Sequence, residues 1–245
     1  MTASSQSLVG NQQIALFGLP DTVQRHSMGL TLTAEDPYWG GYEAIYVYAT
    51  GTIRQGGLIT ITPTLQTFNG GTRWRWDAAE VPNTANLGKP LYVAPVSATV
   101  GQFFWAINFG VIPVNCNASV AADTTFGIAA AGQGGANTAG KQVINARVVA
   151  PASATVVKTG CTANSGSIRL FVPNVDGWFC GVYLSGTGIA AGTTVSDIDP
   201  GQNVVTLSTA TTAAVNGSVT ATYNNGTVFY NVCYIDRLCA QGAIT

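Results

Sequence analysis

The chain has few charged residues for its length. Lys, Arg, Asp and Glu make up 9% of its 245 residues, and ten basic against eleven acidic side chains give a formal net charge of −1. An average soluble domain carries about 25% charged residues. Charge-driven disorder is excluded because it requires low hydrophobicity, whereas 47% of this chain is hydrophobic. We do not expect nucleic-acid binding, because ten dispersed basic residues provide no patch for phosphate groups.

Histidine is almost absent. His26 is the single histidine, which excludes metal sites that need two or more imidazole ligands. A serine or cysteine triad would have to pass its proton through His26, yet this residue lies in a short polar stretch without a nucleophile motif. We interpret His26 as a structural or surface residue, and we expect no catalytic residue, no cofactor and no metal.

Long apolar runs are also missing. No stretch approaches the roughly 18 apolar residues that span a bilayer, and the most apolar window, residues 101–114, is interrupted by Gln102, Asn108, Gly110 and Pro113. The N-terminus has neither the basic region nor the continuous apolar region of a secretory signal. We expect no membrane association, and a protein that is either made and used in the cytoplasm or leaves the cell by a route other than its own signal.

The five cysteines allow two interpretations. None of them forms a C-x-x-C pair, so neither a zinc knuckle nor a thioredoxin-type site is predicted. The first interpretation is five small buried thiols. The second is disulfide formation, for which Cys161 with Cys180 and Cys233 with Cys239 are the nearest pairs in sequence. Both stay open because the sequence does not give the Cα separations that a disulfide requires.

Short β-branched and aromatic segments alternate with Gly, Pro and Asn, which favours an all-β fold with little helix. Residues that favour helices are scarce, and only Asn11–Phe17 and Thr22–Ser27 could form a helical turn or two. The spacing of the strands is typical of a β-barrel or β-sandwich. Strands are predicted within residues 43–51, 57–63, 90–94, 102–109, 111–114, 143–150, 168–172, 178–184, 194–198, 203–208, 218–223 and 227–237.

A change of composition near Pro151 divides the predicted strands into two modules. The Ala- and Gly-rich tract 127–140 is predicted to be an exposed loop, and Pro151-Ala-Ser-Ala to begin a linker. The predicted organisation is an N-terminal arm (1–33), a β-barrel or β-sandwich domain (34–150), a linker (151–166), a small β-sandwich module (167–224) and a C-terminal strand segment (225–245). That last segment is expected to return to the first domain, which would make the small module an insertion.

Two glycine-rich motifs resemble cofactor sites only superficially. Gly186-Thr-Gly-Ile-Ala-Ala matches the fingerprint of dinucleotide-binding turns, but that motif must open a helix whose N-terminus receives the pyrophosphate. A strand-like sequence follows here instead. Gly132-Gln-Gly-Gly lacks the Lys-Ser/Thr of a phosphate loop. Both motifs are therefore interpreted as turns or loops.

The stretch Arg73-Trp-Arg-Trp combines aromatic and cationic side chains more densely than other parts of the sequence. On a strand, Trp74 and Trp76 project from one face, and Arg73 and Arg75 project from the other. Trp and Arg are enriched at the anchoring points of protein interfaces, so we favour interface or core packing for this stretch. The candidate interface anchors are Trp39, Arg73, Trp74, Arg75 and Trp76.

A sugar site is the alternative for the same stretch. Aromatic rings beside Asp77 and Glu80 could stack on a saccharide while the carboxylates bind its hydroxyl groups. A paired-carboxylate glycosidase would also need a defined separation of its two carboxyl groups, which the sequence does not give.

Several segments resemble virion structural proteins of tailed bacteriophages. They are Ala34-Glu-Asp-Pro-Tyr-Trp-Gly-Gly-Tyr and the strand after it as far as Gly57, Pro82-Asn-Thr-Ala-Asn-Leu-Gly-Lys-Pro-Leu-Tyr-Val-Ala, and residues 100–114. They look like the capsid decoration, or cement, proteins of the phage head. Separately, residues 184–195 with 205–208 resemble β-modules of phage head and tail appendages.

The resemblance implies a non-enzymatic protein without catalytic residues to carry over. It implies binding to major capsid protein on the outside of the head, frequently as a homotrimer, and stabilisation of the shell. The protein would then be a virion component made in the host cytoplasm. Composition agrees, because Thr, Ser, Asn and Gly lose less rotamer entropy at contacts than Lys or Glu and strand no charge between chains. A glycan- or receptor-binding appendage is the second hypothesis, and an enzyme such as a depolymerase is the third.

Overall fold

The computed structural model describes residues 19–36, 38–68 and 71–242, and every regular element within these ranges is a β-strand. The predicted all-β class is confirmed. The strands are β1 (Thr31–Asp36), β2 (Gly40–Ala49), β3 (Leu58–Phe68), β4 (Gly71–Glu80), β5 (Tyr92–Val93), β6 (Phe103–Cys116), β7 (Gly127–Ala130), β8 (Gln133–Gly135), β9 (Val143–Ala150), β10 (Thr155–Ala163), β11 (Arg169–Phe171), β12 (Tyr183–Gly186), β13 (Val195–Asp199), β14 (Val204–Leu207), β15 (Val215–Thr222) and β16 (Phe229–Ala240).

The larger of two sheets has the strand order β1-β2-β4-β3-β5-β6-β16-β9, and β8 joins it beside β6. Strand β6 is its centre, because the first half of β6 pairs with β2 and the second half pairs with β16. The two predicted strands 102–109 and 111–114 are in fact this one strand. Gly110, at φ +122°, continues it where a side chain would collide with the carbonyl oxygen of Gly41.

The smaller sheet has the order β12-β15-β10-β11-β14-β13. Its two outer strands are joined by backbone hydrogen bonds, from the amide of Leu184 to the carbonyl of Thr193 and from the amide of Val195 to the carbonyl of Val182. These bonds close the sheet on itself, so the small module is a six-stranded barrel. Closure removes the unpaired strand edges that would otherwise invite aggregation.

The predicted linker 151–166 is wrong over most of its length. Strand β10 lies inside it and pairs with β15 and β11 in the barrel. The turn signal of Pro151-Ala-Ser-Ala covers four residues only, and the β-branched residues that follow it build a strand. Even Ala152 is buried, so the crossing from one sheet to the other is packed.

The chain returns from the barrel to the larger sheet through β16, which pairs with β6 from Phe229 opposite Cys116 to Asp236 opposite Phe109. Strand β16 also pairs with β9, the last strand before the barrel. The barrel is therefore inserted between two neighbouring strands of the larger sheet, as the sequence predicted for segment 225–245.

Three local predictions are wrong. The tract 127–140 is not an exposed loop, because it contains the hairpin β7–β8 with Ile128 and Gly134 buried. Residues Thr22–Ser27 form bends rather than a helical turn, and Trp178–Val182 form turns before β12. The other candidate helix, Asn11–Phe17, lies outside the described residues.

The predicted N-terminal arm 1–33 is partly integrated into the larger sheet. Residues 1–18 lie outside the described ranges, but Asp21 and Phe103 exchange two backbone hydrogen bonds, and β1 pairs with β2 along its whole length. From Asp21 onwards the segment packs on the chain's own sheet, so it is not a separate arm.

The two sheets share one hydrophobic core. Trp39 and Tyr42 from the larger sheet, Phe179 and Tyr223 from the barrel, and Tyr230 from β16 all belong to it. A second, smaller core lies within the larger sheet and contains Ile45, Val47, Ala49, Ile53, Ile59, Ala78, Ala94, Ala98, Phe104 and Ala106.

A protruding hairpin as the candidate interaction site

The hairpin of β3 and β4 extends beyond the strands that flank it. Its two strands pair along their whole length, from Ile59 opposite Glu80 to Phe68 opposite Gly71. Among the described residues, β2 pairs with β4 only at Asp77 and Ala78, and β5 pairs with β3 only at Leu58 and Ile59. The outer two-thirds of the hairpin therefore has no neighbouring strand on either side.

One face of the hairpin carries an apolar stripe that begins in the second core. Ile61 and Trp76 pack against that core, and Pro63 lies opposite Trp76. Further out, Leu65 lies opposite Trp74, and each of these two residues is 58% exposed. The stripe is thus covered at its base and uncovered towards its tip.

The indole of Trp76 is held at the base by Gly29. A Cβ atom at Gly29 would lie 2.5 Å from Cε2 of this ring, and the residue has φ +74°. Only glycine combines this backbone conformation with so close an approach. Trp74 lies two residues further along on the same face, beyond this cover.

The opposite face of the hairpin is polar and its groups pair with one another. Asp77 accepts hydrogen bonds from Nε of Arg75 at 2.5 Å, from Nη2 of Arg75 at 3.1 Å and from the hydroxyl of Thr64 at 2.7 Å. The guanidinium carbon of Arg75 lies 4.0 Å from the centre of the Tyr48 ring. Hydrogen bonding to Asp77 raises the pKa of Arg75. Arg75 is therefore fixed within the chain, whereas Arg73 is exposed.

The structure separates the two carboxylates that the sugar hypothesis brings together. Asp77 and Glu80 are three residues apart on β4, so their side chains leave opposite faces. Glu80 binds Nε of Arg54 at 2.9 Å and accepts the backbone amide of Arg54 at 3.0 Å. Each carboxylate is neutralised by its own arginine, and the two do not form a catalytic pair.

Trp39 is not an exposed anchor. It is only 7% exposed, and its ring meets that of Phe179 edge-on, with centroids 6.1 Å apart. Of the five candidate anchors, the structure therefore leaves Arg73 and Trp74 at the surface, holds Arg75 and Trp76 partly buried, and encloses Trp39.

All five cysteines are free thiols, so neither proposed disulfide, Cys161–Cys180 or Cys233–Cys239, is present. Cys116, Cys161 and Cys233 are buried. Burial raises the pKa of Cys116 and of Cys180 to about 12, and raises the pKa of Cys233 well above its ordinary value. The interpretation as buried thiols fits Cys116, Cys161 and Cys233 best, because Cys180 and Cys239 are only partly buried.

A small pocket lies within the larger sheet. A pocket of about 260 Å³ lies between β5, β6 and β16, and Asn108, Tyr92 and Arg237 line it, but Arg237 is already paired with Glu43 at 2.9 Å. Pockets that bind drug-sized ligands measure about 300–1,000 Å³. Within the described ranges no group of three or more His, Cys, Asp or Glu could hold a metal, and no helix is long and apolar enough to cross a membrane.

Leu65 and Tyr48 were not predicted to belong to the site. Leu65 continues the period-2 pattern of Ile59, Ile61 and Pro63, and this pattern would have placed it beside Trp74 had the hairpin register been known. The role of Tyr48 depends on the parallel contact between β2 and β4, which leaves no local signal in the sequence.

No protein-family model matches the chain, and no curated protein or solved structure is detectably similar to it.

Proposed function

We propose that the protein is a non-enzymatic structural subunit of a bacteriophage virion, of the capsid decoration (cement) type, that binds major capsid protein outside the head. The observation that carries this proposal is the apolar stripe of the hairpin, which ends at the exposed pair Leu65 and Trp74. Exposed apolar surface rimmed by polar groups marks interaction sites. Trp in particular is enriched among the residues that dominate binding energy.

The charges of the chain support the same proposal. Five arginines form ion pairs within the chain, and six carboxylates take part in these pairs. About half of the charged side chains are therefore paired, and these can be covered by a neighbouring subunit without leaving a charge buried and unpartnered, which is the expensive case. The arginines are Arg25, Arg54, Arg75, Arg147 and Arg237.

In this proposal the hairpin seats its apolar stripe on the shell, and the barrel and the larger sheet remain outside. The burial of Leu65 and Trp74 supplies the attachment energy, and the shell is stabilised because each subunit spans more than one shell protein. We further propose a homotrimer in the virion, which light scattering of the purified full chain tests directly.

The experiment compares Trp74→Ala with Phe171→Ala in binding to heads of the encoding phage that lack this chain. Phe171 is an exposed aromatic of the barrel, 51% accessible, so it is a matched control. Loss of an interface hot spot costs about 2 kcal/mol or more, roughly 30-fold in affinity. We expect that loss for Trp74→Ala and less than a twofold change for Phe171→Ala. Purified virions without the chain, or equal binding by both variants, would overturn the proposal.

The exposed indole of Trp74 also favours a second candidate, a glycan- or receptor-binding appendage of the phage head or tail. Because Trp76 is covered at the hairpin base, only one of the two rings is open for stacking. A glycan array probed with the folded wild-type chain and with Trp74→Ala distinguishes the candidates. Binding lost in the variant favours the appendage, and the absence of any bound glycan removes it.

A further inference from the structure

The barrel contains a lysine in an unusual place. Lys158 lies on β10 opposite Val219 of β15, and the register of this pair shifts immediately afterwards, between Lys158 and Cys161. Gly160, at φ +79°, lies within the shift. Such β-bulges redirect side chains and are frequent next to reactive sites.

The side chain of Lys158 is largely withdrawn from water, and its tip reaches Asn174 at the surface. The residue is only 9% exposed, and lysine is almost never this buried unless it is paired. Nζ of Lys158 donates a hydrogen bond to Oδ1 of Asn174. Among the ion pairs of the described residues, none includes Lys158.

The lowered pKa of Lys158 favours the neutral amine, which is the nucleophilic form. Desolvation lowers the pKa of its amino group, and the nearby charge of Asp176 opposes that effect in part. A lysine amine becomes nucleophilic when it loses its proton. The buried side chain therefore holds more neutral amine at a given pH than an exposed lysine does.

The acceptor is held in place against the amine. Oδ1 of Asn174 also accepts the backbone amide of Asp176 at 3.3 Å, which fixes the asparagine in a turn of its own. That turn is pressed on β10, because a Cβ atom at Gly177 would lie 3.2 Å from Cγ2 of Val156. The hydroxyl of Tyr223 donates to the carbonyl of Gly177 at 2.9 Å and holds the turn from the other side.

We propose that Lys158 and Asn174 react with each other to form an intramolecular isopeptide bond, with Asp176 carrying the proton between them. Nζ of Lys158 attacks Cγ of Asn174, the Nζ–Cγ bond forms, and the bond from Cγ to Nδ2 breaks. Because the carboxylate of Asp176 makes no ion pair with Nζ, it takes the proton from Nζ through a water molecule and passes it on to Nδ2, which leaves as ammonia. Starting from a protonated lysine, the products are the amide and an ammonium ion, so atoms and charge balance without an oxidant or another reactant.

The fixed geometry is what makes the reaction feasible. Two groups held in contact react far faster than the same groups free in solution, and amine and carboxamide are already hydrogen bonded here. The product would tie β10 to the segment after β11 across 16 residues of chain. A cross-link of this kind restricts the unfolded barrel as a disulfide would, in a protein whose cysteines are all free. The inference does not depend on the proposed function.

Intact-mass measurement of the purified full chain tests this proposal. We expect the wild-type chain to be lighter than its calculated mass by one ammonia, about 17 Da. Proteolysis followed by fragment sequencing should recover the Lys158 and Asn174 peptides joined to each other. The joined peptides are decisive, because cyclisation of the Asn-Gly sequences at Asn69, Asn216 and Asn225 also releases ammonia but joins no peptides.

Variants assign the roles. Lys158→Arg and Asn174→Ala should restore the calculated mass, and Asp176→Ala, which keeps both reacting groups, should prevent or slow the loss at least tenfold. The matched control is Lys141→Arg, because Nζ of Lys141 bonds to Oδ1 of Asn83 at 2.8 Å in an exposed pair that should not react. Because the bond forms only in the folded chain, Asp176→Ala counts only if its circular dichroism matches that of the wild-type chain. A wild-type chain at its calculated mass after prolonged incubation, or without joined peptides, overturns the proposal.

Discussion

The indole of Trp39 meets the ring of Phe179 edge-on, with centroids 6.1 Å apart, and this contact joins the larger sheet to the barrel. Trp39 lies directly before β2, whereas Phe179 lies in the turns between β11 and β12. Phe179 also contacts Tyr223 at 5.4 Å and Tyr230 at 5.2 Å. Tyr223, directly after β15 of the barrel, and Tyr230 of β16 in the larger sheet thus pack on the same ring. We therefore expect the two sheets to unfold together.

Replacing Trp39 should therefore destabilise the whole chain. Truncation of a buried Trp to Ala costs about 3–5 kcal/mol, so we expect Trp39→Ala to lower the free energy of unfolding by that amount in urea denaturation. Trp74→Ala, which removes an exposed ring, should change it by less than about 0.5 kcal/mol. The result would contradict the shared core if Trp39→Ala split the transition and left the barrel as stable as before.

Part of this architecture was readable from local sequence. Alternating β-branched and aromatic residues predicted most strands, and the aromatic segment after Thr227 predicted the return to the larger sheet. Barrel closure was not predictable, because it depends on hydrogen bonds of Leu184 and Val195 to partners across the sheet. Trp39 was predicted as an interface anchor, and its burial depends on Phe179, which is distant in sequence.

The candidate site was predicted only in part, because some of its contacts join segments that are distant in sequence. Strand periodicity alone placed Trp74 and Trp76 on one face, and the structure agrees. Whether each ring is covered depends on Gly29, which belongs to another segment. The pairing of Asp77 with Arg75 was missed, because residues two apart on a strand share a face but their contact depends on rotamers and on Tyr48 beneath them.

Asn231 should be the most sensitive polar residue of the crossing between the sheets. It is 0% exposed; its Oδ1 accepts the backbone amides of Val120 and Ala152 at 2.9 and 2.8 Å, and its Nδ2 donates to the carbonyl of Ala118 at 3.0 Å. Each buried group left without a partner costs about 1–3 kcal/mol. We expect Asn231→Ala to lower the free energy of unfolding by roughly 3–5 kcal/mol.

The control for this prediction is Asn216→Ala, which alters an exposed asparagine of β15. Its effect should stay within about 0.5 kcal/mol. Denaturant titration of both variants decides the matter, and similar stabilities for the two would mean that the three hydrogen bonds of Asn231 are replaced by water.

The ion pair of Arg75 with Asp77 in the hairpin should contribute more to the free energy of unfolding than an ion pair at the surface does. The side chains of Arg75 and Asp77 are 21% and 14% exposed, whereas those of Arg147 and Asp123 are 60% and 76% exposed. Exposed pairs contribute about 0–1 kcal/mol, and a charge left unpaired in a partly buried site costs about 1–3 kcal/mol. Asp77→Asn should therefore destabilise the chain measurably and Asp123→Asn hardly at all, as thermal unfolding at low and high salt would show. Equal losses in the two variants would contradict the structure.

The free thiols predict a loss of stability in alkaline solution. Cys116, Cys180 and Cys233 have raised pKa values in the folded chain because burial disfavours their thiolates. Above about pH 9 the unfolded chain ionises these thiols while the folded chain keeps them protonated. The folded state then holds more protons than the unfolded state, so the free energy of unfolding must fall as pH rises.

These three thiols, each half ionised in the unfolded chain, give a slope of about 2 kcal/mol per pH unit near pH 9, and Cys161, whose pKa burial also raises, adds a smaller contribution. Urea titrations from pH 7 to pH 9 measure it, because the buried tyrosines contribute strongly only nearer pH 10, where tyrosine of the unfolded chain ionises. Cys233→Ala should reduce the slope by about a third, whereas Cys239→Ala, at a partly exposed position, serves as the control. A slope that Cys233→Ala leaves unchanged would show that this thiol is not protected, and reaction of Cys233 with iodoacetamide in the folded chain would show the same thing independently.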